Sequence, residues 1–204
     1  MNRETAIPSP PLSGDDQKRC RVLEGALKVF LAYGFGRTTM DDIARSAGLS
    51  RPALYLLFRN KTDIYRGLAR VVLADVMVKV REALAGEGTL RERLDGMVRF
   101  AFFETLKDIE DAPHGPELLD IKNTLAGDIF AQWREEIGVL IAQAIAEHAA
   151  SHGVDLSDRE LSPKALADVF MDSLEGMKVR SDDPRRHLEF ALTSVRVLVA
   201  ALRP

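Results

Sequence analysis

The chain has a single cysteine, Cys20, so no disulfide can form within it. That fits a reducing compartment, and Cys20 reads as a small packing residue of the first helix rather than a redox sensor. No apolar run approaches the ~20 residues that a membrane span needs. Residues 1–14 hold Pro8, Pro10 and Pro11 and no apolar stretch, so neither a signal peptide nor an anchor is expected there. They are expected to be a disordered tail on a soluble, cytoplasmic protein. Also missing are a glycine-rich phosphate loop and a Gly-x-Ser-x-Gly elbow. His148 and His152 share a helix face, but Glu147 does not complete His-Glu-x-x-His and no third ligand lies nearby, so a solvated face is the reading. Glu135–Glu136 and Asp182–Asp183 are adjacent pairs in exposed or capping contexts, and adjacent residues diverge on a helix. No enzyme chemistry, metal or cofactor is expected. Strand-type alternation is missing too, which leaves an all-α fold.

What is present is an uneven distribution of charge. The net charge of the 204 residues is only −3, which argues against a nucleic-acid partner until the chain is divided. Residues 15–66 carry ten Lys/Arg against six Asp/Glu, whereas residues 67–204 carry seventeen against twenty-four. A basic first segment can attract phosphates while an acidic remainder stays away from them.

Within the basic segment lies the most specific pattern of the chain. Thr39 is a good N-cap, and Asp42 three residues on completes a capping-box pair with negative charge at the positive helix end. Ile43, Ala44 and Ala47 form an apolar stripe, and the small Ala44 lets a second helix come close. Gly48 supplies a stop that accepts positive φ, with Leu49 folding back over it. Ser50 caps the next helix and Pro52 sits in its first turn, where a missing N–H costs nothing. Leu54, Leu57 and Phe58 point inward; Arg51, Ala53 and Tyr55 point outward. Arg51 can reach a guanine edge or a phosphate, Ala53 a thymine methyl, and Tyr55 a phosphate. Lys61 stands at the start of a third helix, after Asn60 as N-cap. A cation opposes the macrodipole there unless an anion such as a phosphate is bound. The layout is a helix-turn-helix.

These residues, together with Phe30-Leu31-Ala32-Tyr33-Gly34-Phe35, Thr38-Thr39 and Phe58-Arg59-Asn60-Lys61, resemble the TetR/AcrR family of bacterial transcriptional regulators. The resemblance runs from about Asp16 to Leu68. It implies that Thr39, Ser50, Arg51, Pro52, Ala53, Tyr55 and Lys61 touch DNA. Leu57 departs from the aromatic or histidine that relatives place there. Met40 and Asp41 stand where relatives often carry a basic or polar reader. Base reading is therefore expected to lean on Arg51 and its neighbours.

Three parts are expected: the tail 1–14, a helix-turn-helix domain 15–66, and a helical effector-binding and dimerisation domain 67–204. Ile64, Leu68, Val71, Val72, Val76, Val80 and Leu84 trace a long helix from Lys61 to the Gly86–Gly88 loop. Thr89 with Glu92 starts another, with an apolar face of Leu90, Leu94, Met97, Val98, Ala101 and Phe102. Residues 112–116 break the chain. A long helix then runs from Glu117 to His152, bent near Gly127. Two helices close the chain, at about 163–179 and 184–203, and the second is apolar over more than half its circumference. Such a surplus meets a partner, and the resemblance implies a homodimer through these two helices. It also implies a pocket for a hydrophobic effector among Met97, Phe100, Phe103, Phe130, Trp133 and Phe170, residues that core packing alone would equally explain. The expected function is a dimeric repressor released from its operator by a small hydrophobic ligand. The alternative is a helical interaction or scaffold protein with a vestigial helix-turn-helix.

Overall fold

A computed structural model describes residues 14–180 and 183–203, so most of the expected tail lies outside the described residues. Among the described residues the chain is helical, with no strand. Among the described residues no helix is long and apolar enough to cross a membrane. The helices are α1 (Gly14–Tyr33), α2 (Met40–Ser46), α3 (Arg51–Leu57), α4 (Lys61–Ala85), α5 (Leu90–Gly96), α6 (Thr105–Glu110), α7 (Gly115–Asp120), α8 (Lys122–His152), α9 (Pro163–Arg180) and α10 (Pro184–Ala200). A π-helical stretch, Met97–Glu104, joins α5 to α6.

The apolar residues collect in two cores. The first is built on Val22, Ala26 and Phe30 of α1, Ile43 and Ala44 of α2, and Leu54 of α3. The second holds Leu90 and Leu94 of α5, Ile137, Ile141 and Ile145 of α8, Phe170 and Leu174 of α9, and Ala191 and Val195 of α10. Two helices run through both. α4 gives Ile64, Tyr65 and Leu68 to the first core and Val76, Met77, Val80 and Leu84 to the second. α8 does the same, with Ala126 in the first and Ile137 onward in the second. At 1.5 Å per residue, the 25 residues of α4 are ~37 Å long, enough to traverse the molecule.

Several expectations need correction. The stripe on α4 drifts: Leu73 and Met77 are buried while Val71 is 57 % exposed, because 3.6 residues per turn carries the buried face around a long helix. The segment expected as one helix from Glu117 begins earlier, at Gly115, breaks at Ile121 and resumes at Lys122. Its bend does fall near Gly127, at Ala126 (φ −146°, ψ 27°). Cys20 is exposed and packs in neither core. Beyond Met97 the helix widens into π turns, and the Thr105 hydroxyl donates to the Phe100 carbonyl at 2.9 Å, five residues back. Met97, Val98 and Ala101 stay fully buried, whereas Phe100 is turned out. The side chain of Phe102 lies outside the described residues.

Candidate nucleic-acid interface

Local chemistry fixes the ends of α2 and α3. The Thr39 hydroxyl accepts from the Asp42 N–H at 3.2 Å, and the Asp42 carboxylate accepts from the Thr39 N–H at 3.0 Å. That reciprocal pair holds Asp42 below its usual carboxylate range, through the Thr39 hydroxyl first and the Thr39 backbone second. α2 stops as expected: Gly48 takes φ +65°, and the Leu49 N–H closes onto the Ala44 carbonyl at 2.9 Å. Ser50 then caps α3 by accepting from the Ala53 N–H at 3.3 Å. The close approach inferred from Ala44 is completed by α1. A Cβ added to Gly25 would stand 2.9 Å from the Ala47 nitrogen, so α1 and α2 touch backbone to backbone.

This frame leaves one side of α3 without cover. Thr39, Ser50, Arg51, Pro52 and Tyr55 are exposed, and Ala53 is half-buried. Leu54 and Phe58 anchor the opposite side; Leu57, expected beside them, is only half-buried. Leu56, which local pattern did not single out, is 87 % exposed. Arg51 is held in place within this surface. Its Nη1 donates to Asp41 Oδ2 at 2.9 Å, and its guanidinium carbon lies 5.6 Å from the Tyr55 ring centre. The Arg51 pKa is pushed higher still, first by hydrogen bonding with the Tyr55 hydroxyl and then by the Asp41 charge.

Lys61 has a different partner from the phosphate invoked above. Its ammonium donates to the carbonyls of Phe35, Gly36 and Thr38 at 2.7, 3.1 and 3.2 Å, and lies 4.6 Å from the Phe35 ring centre. Three donors meet three acceptors. The cation that seemed to oppose its own helix dipole instead clamps the loop between α1 and α2.

The same loop is gripped from the far side by residues that sequence pattern alone did not flag. The Gly36 N–H donates to Glu117 Oε1 at 3.4 Å, and the His114 N–H to the Leu31 carbonyl at 3.2 Å. One turn into α4, the Tyr65 hydroxyl donates to the Leu118 carbonyl at 2.7 Å, and burial pushes its pKa up to about 12. Arg66 donates to both oxygens of Asp128 and to the Leu125 carbonyl. The segment read as a chain break is thus a seat. Gly115 makes it possible, since a Cβ there would lie 1.6 Å from the Ile109 carbonyl oxygen.

Of the six residues read as an effector pocket, four lie in or against the second core. Met97 and Phe170 are core residues, Phe103 and Trp133 pack against the second core, and Phe130 packs against the first. Phe130 and Trp133 meet edge to face at 6.5 Å. Phe100 is 55 % exposed and belongs to neither core. A concavity of 460 Å3 lies instead on the first core, lined by Val29, Tyr33, Arg37, Thr38, Asp42, Arg45 and Ser46. Among the described residues no three His, Cys, Asp or Glu side chains gather to hold a metal.

Comparison with known proteins places this geometry. Residues 22–68 match the signature described as bacterial regulatory proteins, tetR family. The transcriptional activator FasR of Mycolicibacterium smegmatis is 34 % identical over 92 residues, 45 % of this chain and 42 % of that protein. The transcriptional repressor KstR2 of Rhodococcus jostii is 28 % identical over 134 residues, 64 % of this chain and 63 % of that protein. The matched stretch thus spans about half the length of these curated relatives. Likeness of fold runs further. A transcriptional regulator of Thermobifida fusca superposes with a TM-score of 0.64 at 19 % identity, covering 92 % of this chain and all of the other. The fatty acid degradation regulator FadR of Bacillus halodurans gives 0.62 at 19 % identity, covering 97 % and 99 %.

Proposed function

Because this chain belongs to the TetR family of bacterial regulatory proteins, we propose that it is a cytoplasmic, sequence-specific DNA-binding transcriptional regulator acting as a dimeric repressor. One observation carries the reading: α3, capped at its start and anchored by Leu54 and Phe58, turns an unburied row of Arg51, Pro52, Tyr55 and Leu56 away from the molecule. A helix offered in that way suits a major groove, where arginine can hold guanine O6 and N7. Thr39, Ser50, Ala53 and Tyr55 then contact backbone or base edges, and Lys61 contributes by fixing the loop behind them. In this reading residues 15–66 are the DNA-binding head and residues 67–204 the body, with Leu68, Ala69, Leu118 and Ala126 of the body completing the head's core.

A dimer is the natural reader of DNA, since two-fold symmetry sets two recognition helices on successive turns ~34 Å apart. α9 and α10 supply the surface. Val169 and Val197 are 67 % and 66 % exposed, beside the half-buried Leu166, Leu188, Leu192 and Val199. A small hydrophobic effector bound in the body would release the operator by preferring a different separation of the heads, since a ligand shifts an equilibrium only by its differential affinity. The α7–α8 seat on the head is the route for that shift.

The test is selection of duplexes from a random pool at low salt, followed by binding to the selected duplex as salt is raised. The expected result is a two-fold symmetric site whose affinity falls steeply with salt. No preferred duplex would overturn the reading and favour a helical scaffold protein instead.

A further inference from the structure

The ion pair between Asp41 and Arg51 sits on a surface that, on the reading above, faces a polyanion, and that is an odd place for a carboxylate. Stability does not account for it. The two side chains are 48 % and 59 % exposed, and ion pairs between such partners contribute little. Affinity for DNA does not account for it either. A negative charge beside phosphates weakens binding to every sequence alike.

Selectivity does. We propose that Asp41 is a positioning residue for base recognition: it presets the Arg51 guanidinium for a guanine. An unrestrained arginine has many rotamers, and ordering them on DNA subtracts from affinity for the correct base. Here Asp41 holds Nη1 from α2 while the Tyr55 ring borders the guanidinium one turn further along α3. Arginine has five N–H donors, so one given to Asp41 leaves enough for the two that guanine O6 and N7 accept. The carboxylate also discriminates against alternatives. Where no guanine stands opposite, its repulsion of the phosphates remains without a compensating contact. Asp41 thus lowers affinity everywhere and returns it only at the correct base pair. The position that lacks a basic reader acts through the neighbouring helix.

This inference rests on α3 entering the major groove, and the experiment separates the two. Full-length wild type, Asp41→Ala, Asp41→Asn, Asp41→Glu and Arg51→Lys are each assayed on the selected duplex and on one with the Arg51-dependent guanine replaced. The expected result for Asp41→Ala and Asp41→Asn is a ratio of the two affinities at least ~10-fold smaller, the lower part of what a bidentate arginine–guanine contact discriminates. Their binding to unrelated DNA should rise, because a negative charge has gone. Asp41→Glu restores part of the ratio. Arg51→Lys, which keeps the charge and loses the fork, loses the ratio as well. A merely structural Asp41 would give equal weakening on all duplexes, or an unchanged ratio, and either result overturns the inference. Should wild type select no duplex at all, the proposed function itself fails.

Discussion

Arg66 and Asp128 face each other through two hydrogen bonds of 2.7 and 2.6 Å, tying the second turn of α4 to α8 just past its kink. Hydrogen bonding from Arg66 is the main reason the Asp128 carboxyl is held down to about 2, from 3.8. Since its pKa is depressed on folding, the stability it contributes is present above pH ~4 and is lost as pH falls through about 2. Wild type should therefore be more stable than Asp128→Asn by a constant margin from pH 7 to 5. That margin should close between pH 4 and 2. Urea denaturation at a series of pH values measures it, and a margin that does not change with pH contradicts the role assigned to this pair.

Gly115 and Gly138 give opposite expectations for the same substitution. A Cβ at position 115 meets the Ile109 carbonyl oxygen at 1.6 Å, whereas at position 138, inside α8, it meets nothing within 4 Å. Gly115→Ala should cost about 4 kcal/mol or more, because α7 must leave its seat. Gly138→Ala should stabilise by about 0.5–1 kcal/mol, through the unfolded chain's lost freedom. Thermal melts of the two variants settle the comparison.

Lys61→Ala tests whether the lysine serves the protein or the phosphate. With its donors occupied by three carbonyls, its loss should loosen the loop and lower both Tm and operator affinity. The slope of log affinity against log salt should stay unchanged. A direct phosphate contact would instead reduce that slope by about 0.9 per half-site.

Val197 is two-thirds exposed on α10, so Val197→Glu leaves the fold of one chain intact. In the proposed dimer the added charge would fall in an apolar interface and should convert the protein to a monomer at micromolar concentration. Light scattering reads the mass, and the monomer should bind a half-site far more weakly than the dimer binds the whole.

The sequence was informative where its determinants are local. Thr39 with Asp42, Thr89 with Glu92, Gly48, and Ser50 with Pro52 each fix a helix end through partners within five residues, and pattern alone finds such features. It was silent about the seat of α7 and α8. Tyr65 and Leu118 are 53 residues apart, and Gly36 and Glu117 are 81 apart. The clamp made by Lys61 is hidden for the same reason: its carbonyl partners lie 23 to 26 residues back. The π turns escaped because Met97–Glu104 has the composition of any apolar helix, and widening of the turn answers to tertiary packing. The outward Arg51 and Tyr55 were readable; the carboxylate that steadies Arg51 was visible only as a departure from the family pattern.

Two long helices stitched through both cores mean that the N-terminal head is not a detachable cassette. Cut after residue 66 and transplanted, it would lose Leu118 and Ala126 from its interior and leave an oily wound open to water. A chimera builder must carry residues 114–130 along with the head, so that its interior stays closed.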